Sequence, residues 1–205
     1  MIFEKKIVGI YNSQFLSRCD DQGLAHYFSH ADFPGLRQQP FGFKSSLGPD
    51  MKGWFYCYDE IIPGRLVIFE HGFGGGHRSY MKEIEMLARH GYLVYTYDHT
   101  GCMESGGENP RGLSQSLRDL NDCLNALRIA PGFRDLSISV MGHSWGGFST
   151  GNIAALHPDI THIVVLSGFI SVEAIVSQFF GGIMGGYRKP IMAMDPNPEY
   201  NRHCS

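Results

Sequence analysis

Ser144 stands inside Gly142-His143-Ser144-Trp145-Gly146-Gly147, and this hexapeptide is where the chain could do nucleophilic chemistry. A serine hydroxyl is a weak nucleophile unless it is held exposed and next to a base. The bare Gly-x-Ser-x-Gly pattern would arise by chance about 0.3 times in a chain this rich in Gly and Ser, so its surroundings decide its meaning. A strand-like run, Leu136 to Met141, precedes it, and a helix-like run, Phe148 to Leu156, follows. Strand, Gly-x-Ser-x-Gly, helix is the order of a nucleophile elbow. The turn needs residues without bulk at Gly142 and Gly146, because the backbone crowds itself there. Ser144 is therefore the expected nucleophile.

A second motif, His71-Gly72-Phe73-Gly74-Gly75-Gly76, follows the apolar run Arg65 to Glu70. Glycines let a backbone approach a ligand and aim amide N–H groups at it. Acyl transfer builds an oxyanion that needs preorganised donors of that kind. Beside a nucleophilic serine, this loop reads as half of an oxyanion hole, with the N–H of Trp145 as the other half. Gly72 and Gly74 give the loop its close approach, and His71 supports it. A phosphate loop is the rival reading, but no Gly-Lys-Ser/Thr and no GxGxxG frame is present. His71 and His77 are spaced too loosely for a metal-binding helix face, and no cofactor is expected.

The elements that must position these motifs alternate. Phe41 to Ser46 and Gly53 to Tyr58 read as strands joined by a turn at Leu47 to Lys52. Arg65 to Glu70 reads as a buried strand. Ser79 to Arg89 places Tyr80, Ile84, Leu87 and Ala88 on one helix face, and Gly91 stops it. Tyr92 to Tyr97 is the next strand. Leu113 to Ile129 carries Leu113, Leu117, Leu120, Leu124 and Leu127 at helical spacing. The strand before Ser144, the helix after it and a strand at His162 to Leu166 complete the series. Such alternation calls for an α/β fold, a mainly parallel sheet with helices on both faces. Ligands then bind beyond the carboxyl ends of the strands, where both motifs fall. Residues 1–40 read as an N-terminal extension, with Ile7, Tyr11, Phe15 and Leu16 on one possible helix face. Residues 41–169 are the core. Residues 170–205 read equally as the start of a helical cap or as a packed helix with a tail.

Bulk properties narrow the class. Net charge is -3, with no run of Lys or Arg, so nothing favours nucleic acid or an anionic surface. No apolar run reaches the length of a membrane span. The N-terminus lacks a secretory h-region and cleavage site. The five cysteines, Cys19, Cys57, Cys102, Cys123 and Cys204, form no CxxC pair. Reduced thiols and a cytoplasmic location are expected. Cys102 could be a nucleophile, but reads more simply as a loop thiol.

Together the two motifs resemble the α/β-hydrolase family, in particular its esterase, monoacylglycerol-lipase and serine-aminopeptidase-like members. Asp98-His-Thr-Gly101-Cys-Met-Glu-Ser105-Gly106 is similar to a loop those members carry after the next strand. It departs at Thr100, where Arg is usual, and at Met103, where Gly is usual. The resemblance covers Phe41 to Ile170. It implies the α/β-hydrolase fold, Phe73 and Trp145 as the oxyanion donors, and hydrolysis of a small-molecule carboxylic ester or amide through an acyl-serine. Asp98 has the residue type of a triad acid, but the resemblance makes it a loop-stabilising residue. The family order is Ser, acid, His, and neither acid nor base is found by Ser205. His157 and His162 fall at the wrong end of the sheet, His203 in the tail, and Glu173 has little to support it. The expectation is therefore the N-terminal part of a longer hydrolase, or a truncated copy of one, C-terminal strands missing, with an exposed sheet edge open to self-association. A catalytically incompetent interaction module and an acyltransferase are the alternatives.

Overall fold

The computed structural model describes residues 9, 13, 16–20, 27–180, 192–193 and 197–201. The expected helix face of Ile7, Tyr11 and Phe15, the glycines 181–186, His203 and Cys204 lie outside these residues. The strands are β1 (Arg37–Pro40), β2 (Phe43–Lys44), β3 (Asp50–Met51), β4 (Gly53–Cys57), β5 (Arg65–Glu70), β6 (Leu93–Tyr97), β7 (Ser137–His143) and β8 (His162–Leu166). The helices are α1 (Met81–Arg89), α2 (Gln115–Ile129), α3 (Trp145–Asn152), α4 (Val172–Phe180) and α5 (Pro198–Asn201).

Six strands form one sheet in the order β1-β4-β6-β5-β7-β8, and β2 and β3 form a separate ladder. β6, β5, β7 and β8 run parallel, while β4 joins β6 antiparallel. β5 is the centre, and Leu66, Ile68 and Phe69 are fully buried on its two faces. From β5 the chain steps to β6 on one side, then crosses to β7 on the other. A crevice therefore opens beyond the carboxyl end of β5, the place such sheets use for ligands.

Both faces are covered near that centre. On one face Leu117, Leu120, Leu124 and Leu127 of α2 and Phe148 of α3 pack with Leu66, Ile68, Tyr95 and Val140. On the other, Met81, Ile84 and Ala88 of α1 pack with Phe69, Val94 and Tyr56. Among the described residues β8 is the sheet's far edge, and its Val164 and Val165 are 43% and 44% exposed.

One strand expectation is corrected. The antiparallel partner of β4 is Arg37–Pro40, not Phe41 to Ser46, so the sheet begins inside the stretch read as an extension. Phe43–Lys44 pairs instead with Asp50–Met51. β1 is an edge strand of Arg-Gln-Gln-Pro with no buried residue, so it carries no apolar alternation by which to be seen.

Candidate active site

Ser144 follows β7 and caps the N-terminus of α3 with φ 54° and ψ -109°. A residue with a Cβ is held there only by its surroundings, at a cost of about 1–3 kcal/mol. The turn is tight because its glycines touch backbone. A Cβ at Gly142 would lie 2.6 Å from the carbonyl carbon of Gly146, and one at Gly146 would lie 2.6 Å from that of Glu70. Ser144 N–H donates to Leu166 O at 2.9 Å, which fixes the turn against β8. Trp145 is the first residue of α3, so its N–H has no intrahelical acceptor. The Trp145 ring is buried, and its Nε1–H donates to Leu113 O at 2.6 Å.

The loop after β5 lies against this turn. A Cβ on Gly72 would sit 3.4 Å from Ser144 Cβ and 2.6 Å from the Tyr80 hydroxyl. Phe73 packs edge-on against Trp145 at 5.0 Å between centroids. His71 is buried. Its Nε2 accepts from His99 N–H at 2.9 Å, so Nδ1 carries the proton and donates to Gly72 O at 2.8 Å. Burial first, then the charge of His99, pushes its pKa down to about 3. A neutral His71 thus ties the loop to the end of β6. The Cys102 thiol and then Gly74 N–H lower the pKa of the Cys19 thiol.

A cavity of about 580 Å³ adjoins Ser144, walled by Phe73, Leu113, Trp145, Ser167, Gly168, Phe169, Ile170, Ala174, Ile175 and Gln178. Its lining is mostly apolar, with the nucleophile on one wall and α4 on another. Glu173 is exposed in the first turn of α4 and is not part of that lining.

Asp98 holds its own loop. Its carboxylate accepts from His77 N–H and His77 Nδ1 at 2.9 Å each, and from Glu104 N–H at 3.2 Å. Burial opposes ionisation there, but the bonds and charge of His77 outweigh it and hold the carboxyl below its ordinary value. His157 bonds Asn121, and His162 bonds Ser139 at the start of β8, opposite the Ser144 end. Among the described residues no side chain hydrogen-bonds the Ser144 hydroxyl. The same residues hold no group of three metal-ligating side chains.

Two networks escape sequence reading. In the first, the Tyr80 hydroxyl accepts from Gly72 N–H at 3.0 Å and shares a hydrogen bond of 2.8 Å with His143 Nδ1. One phenol thereby joins the glycine loop to the residue before the nucleophile. Tyr80→Phe leaves both partners unsatisfied, and urea unfolding should show a loss of about 1–2 kcal/mol.

The second network lies under the elbow. Glu70 accepts from Tyr97 and Ser149 at 3.1 Å each, and its Oε2 is 3.5 Å from His99 Nε2. His99 Nδ1 is 3.3 Å from Asp119, which also accepts from Thr100 and Gln115. Burial pushes the Glu70 carboxyl up to about 7. Burial alone would lower His99, but the carboxylates of Glu70 and Asp119 outweigh it and its pKa is raised. Both shifts have one sign: the fold keeps protons that the unfolded chain has released, so their stabilisation is lost as pH rises through about 7. His71 acts oppositely, but only as pH falls below its ordinary 6.5. Below pH 6.5 Glu70 and His71 oppose each other, so stability should fall as pH rises from 6.5 through about 7, and Glu70→Gln should flatten that fall in a series of melting temperatures. An unchanged slope in the variant would remove Glu70 from the titration. The only sequence signal for this network was a set of charged residues closing apolar runs.

Comparison with known proteins agrees with this geometry. The profile of the family described as serine aminopeptidase, S33 matches residues 62–196, well over half of the chain. A putative carbamate hydrolase RutD of Agrobacterium fabrum is 30% identical over 102 residues, covering 49% of this chain and 36% of that protein. The monoglyceride lipase of Rattus norvegicus is 28% identical over 123 residues, covering 59% and 38%. The chain spans little more than a third of the length of these relatives. Among solved structures, the Pyrococcus furiosus esterase Pf2001 superposes with a TM-score of 0.65 at 19% identity, covering 87% of this chain and 69% of that one. That likeness speaks for the fold. The sheet order, the glycine loop after β5, the elbow after β7 and the profile match agree: the chain belongs to the serine aminopeptidase, S33 family and has the α/β-hydrolase fold.

Proposed function

We propose that this chain supplies the nucleophile and the oxyanion hole of a serine hydrolase that cleaves carboxylic esters, and amides by the same chemistry. The observation that carries this reading is Ser144 held at φ 54° on the wall of an apolar cavity, at the N-terminus of α3. Ser144 Oγ attacks the substrate carbonyl carbon. The N–H groups of Phe73 and Trp145 receive the charge on the carbonyl oxygen, aided by the positive end of the α3 dipole. Collapse expels the alcohol or amine, and water then releases the acyl group from the serine. Proton transfer needs a base on Ser144, and none of the described residues takes that position. The base and its orienting acid are therefore assigned to residues outside the described set. The cavity walls of Phe73, Leu113, Phe169 and Ile175 suit an apolar acyl or aromatic group. Relatives named as a monoglyceride lipase and as cutinases support the ester reading.

Mapping of a fluorophosphonate adduct tests this assignment. The expected adduct is on the peptide carrying Ser144. An adduct on another residue, with Ser144 unmodified, would overturn it.

A further inference from the structure

We propose that Cys19 and Cys102 form a reversible intramolecular disulfide by exchange with a low-molecular-weight disulfide of the glutathione type, fastening residues 16–20 to the loop after β6. This inference does not depend on the hydrolase reading.

The geometry comes from a backbone bridge. Cys19 N–H donates to Gly101 O at 2.9 Å, and Met103 N–H donates to Cys19 O at 2.8 Å. These two bonds make Cys19 and Cys102 direct partners in a parallel bridge. Paired strands lie about 4.8 Å apart, inside the roughly 4.4–6.8 Å Cα separation that disulfides span. Partners in such a bridge present their side chains to one side, so the two thiols share one side of the bridge. The Arg18 guanidinium holds the register by donating to Gly107 O at 2.7 Å, to Ser105 O at 3.0 Å and to Met103 O. Cys102 is fully buried and Cys19 is 7% exposed, between exposed Arg18 and Asp20.

The two sulfurs are chemically unequal. The bond from the Cys102 thiol, followed by the N–H of Gly74, holds the Cys19 thiol below its ordinary value against the opposing effect of burial. The bond to Cys19 and then burial push the Cys102 thiol well up. Cys19, the more exposed of the two, is thus the attacking sulfur and Cys102 the resolving one. The Cys19 thiolate attacks one sulfur of glutathione disulfide, the S–S bond breaks, and glutathione thiolate leaves. Cys102, losing its proton, attacks Cys19 Sγ and expels the second glutathione thiolate. The protons lost by the two cysteines are taken up by the two glutathione thiolates. Two protein thiols are oxidised and one disulfide is reduced to two thiols.

The test incubates the whole reduced chain, folded by circular dichroism, with glutathione disulfide. It is then quenched by alkylation and its peptides are mapped by mass spectrometry. The expected product is the Cys19 peptide joined to the Cys102 peptide, lighter by two hydrogens, and lost again in excess reduced glutathione. The oxidised chain should also melt higher than the reduced one, and Cys102→Ser should abolish that difference. Glutathione on the partly exposed Cys57 without a Cys19–Cys102 peptide would overturn the proposal. So would a stable glutathione adduct on Cys19 beside unmodified Cys102, or a link that forms only in urea.

Discussion

Ser144→Ala should lower ester hydrolysis by a factor of about 10⁴ or more, because loss of a serine nucleophile leaves only the contributions of binding and the oxyanion hole. The same change should leave stability within about 0.5 kcal/mol of the parent, since alanine keeps the Cβ and no side chain among the described residues bonds the lost hydroxyl. Ser144→Gly separates the two properties further. Glycine relieves the φ of 54° at this position, so the variant should gain about 1 kcal/mol in urea unfolding while being equally inactive. A residue kept for packing would behave in the opposite way, losing stability when trimmed. Steady-state hydrolysis of a p-nitrophenyl ester, run beside urea unfolding on all three proteins, reads both properties. Turnover that survives Ser144→Ala would end the acyl-serine assignment.

What was legible in the sequence is what local rules determine. The elbow could be read because Gly142 answers a steric demand made within five residues of chain, although the demand on Gly146 comes from Glu70 on β5. The parallel sheet could be read because β5 and β6 are apolar runs, as strands buried on both faces must be, and because helical periods separate them from each other and from β7. β1 could not, because a polar edge strand is defined only by its partner. The buried polar contacts were equally hidden. Glu70, His99 and Asp119 come from β5, from the end of β6 and from α2, and only the crossover of the chain brings them under one turn. Tyr80 and His143 meet for the same reason. Cys102 read as an isolated loop thiol because its partner, Cys19, lies in the part of the chain with the weakest pattern.

These hidden contacts do a common task. The glycine loop has few side chains of its own, so packing reaches it chiefly through Phe73. Otherwise it is held by polar bonds at two points: Gly72 to Tyr80, and His71 to the backbone of His99. An oxyanion hole is effective only when its donors are fixed before charge develops. The unusual density of buried histidine and carboxylate beneath the elbow is then a consequence of building a rigid loop from glycine.

Gly146→Ala should be strongly damaging. The new Cβ would meet the carbonyl carbon of Glu70 at 2.6 Å and Glu70 Cβ at 2.7 Å, at the end of the central strand. Backbone at the centre of a sheet cannot retreat as a flexible side chain can. The cost should therefore sit near the upper end of overpacking, about 3 kcal/mol in urea unfolding. Glu70 immediately precedes His71, so any relief must displace the glycine loop, and phosphonate labelling of Ser144 should be lost with the stability. Gly151→Ala, later in the same helix, provides the contrast. Its Cβ would find Val165 Cγ2 at an ordinary 3.5 Å, and alanine favours the helix, so that variant should gain about 0.5–1 kcal/mol. The sign difference between two identical substitutions in one helix measures the closeness of the elbow to β5. Equal stability in the two variants would mean that the elbow is not pressed against β5, and the rigidity argued for Ser144 would go with it.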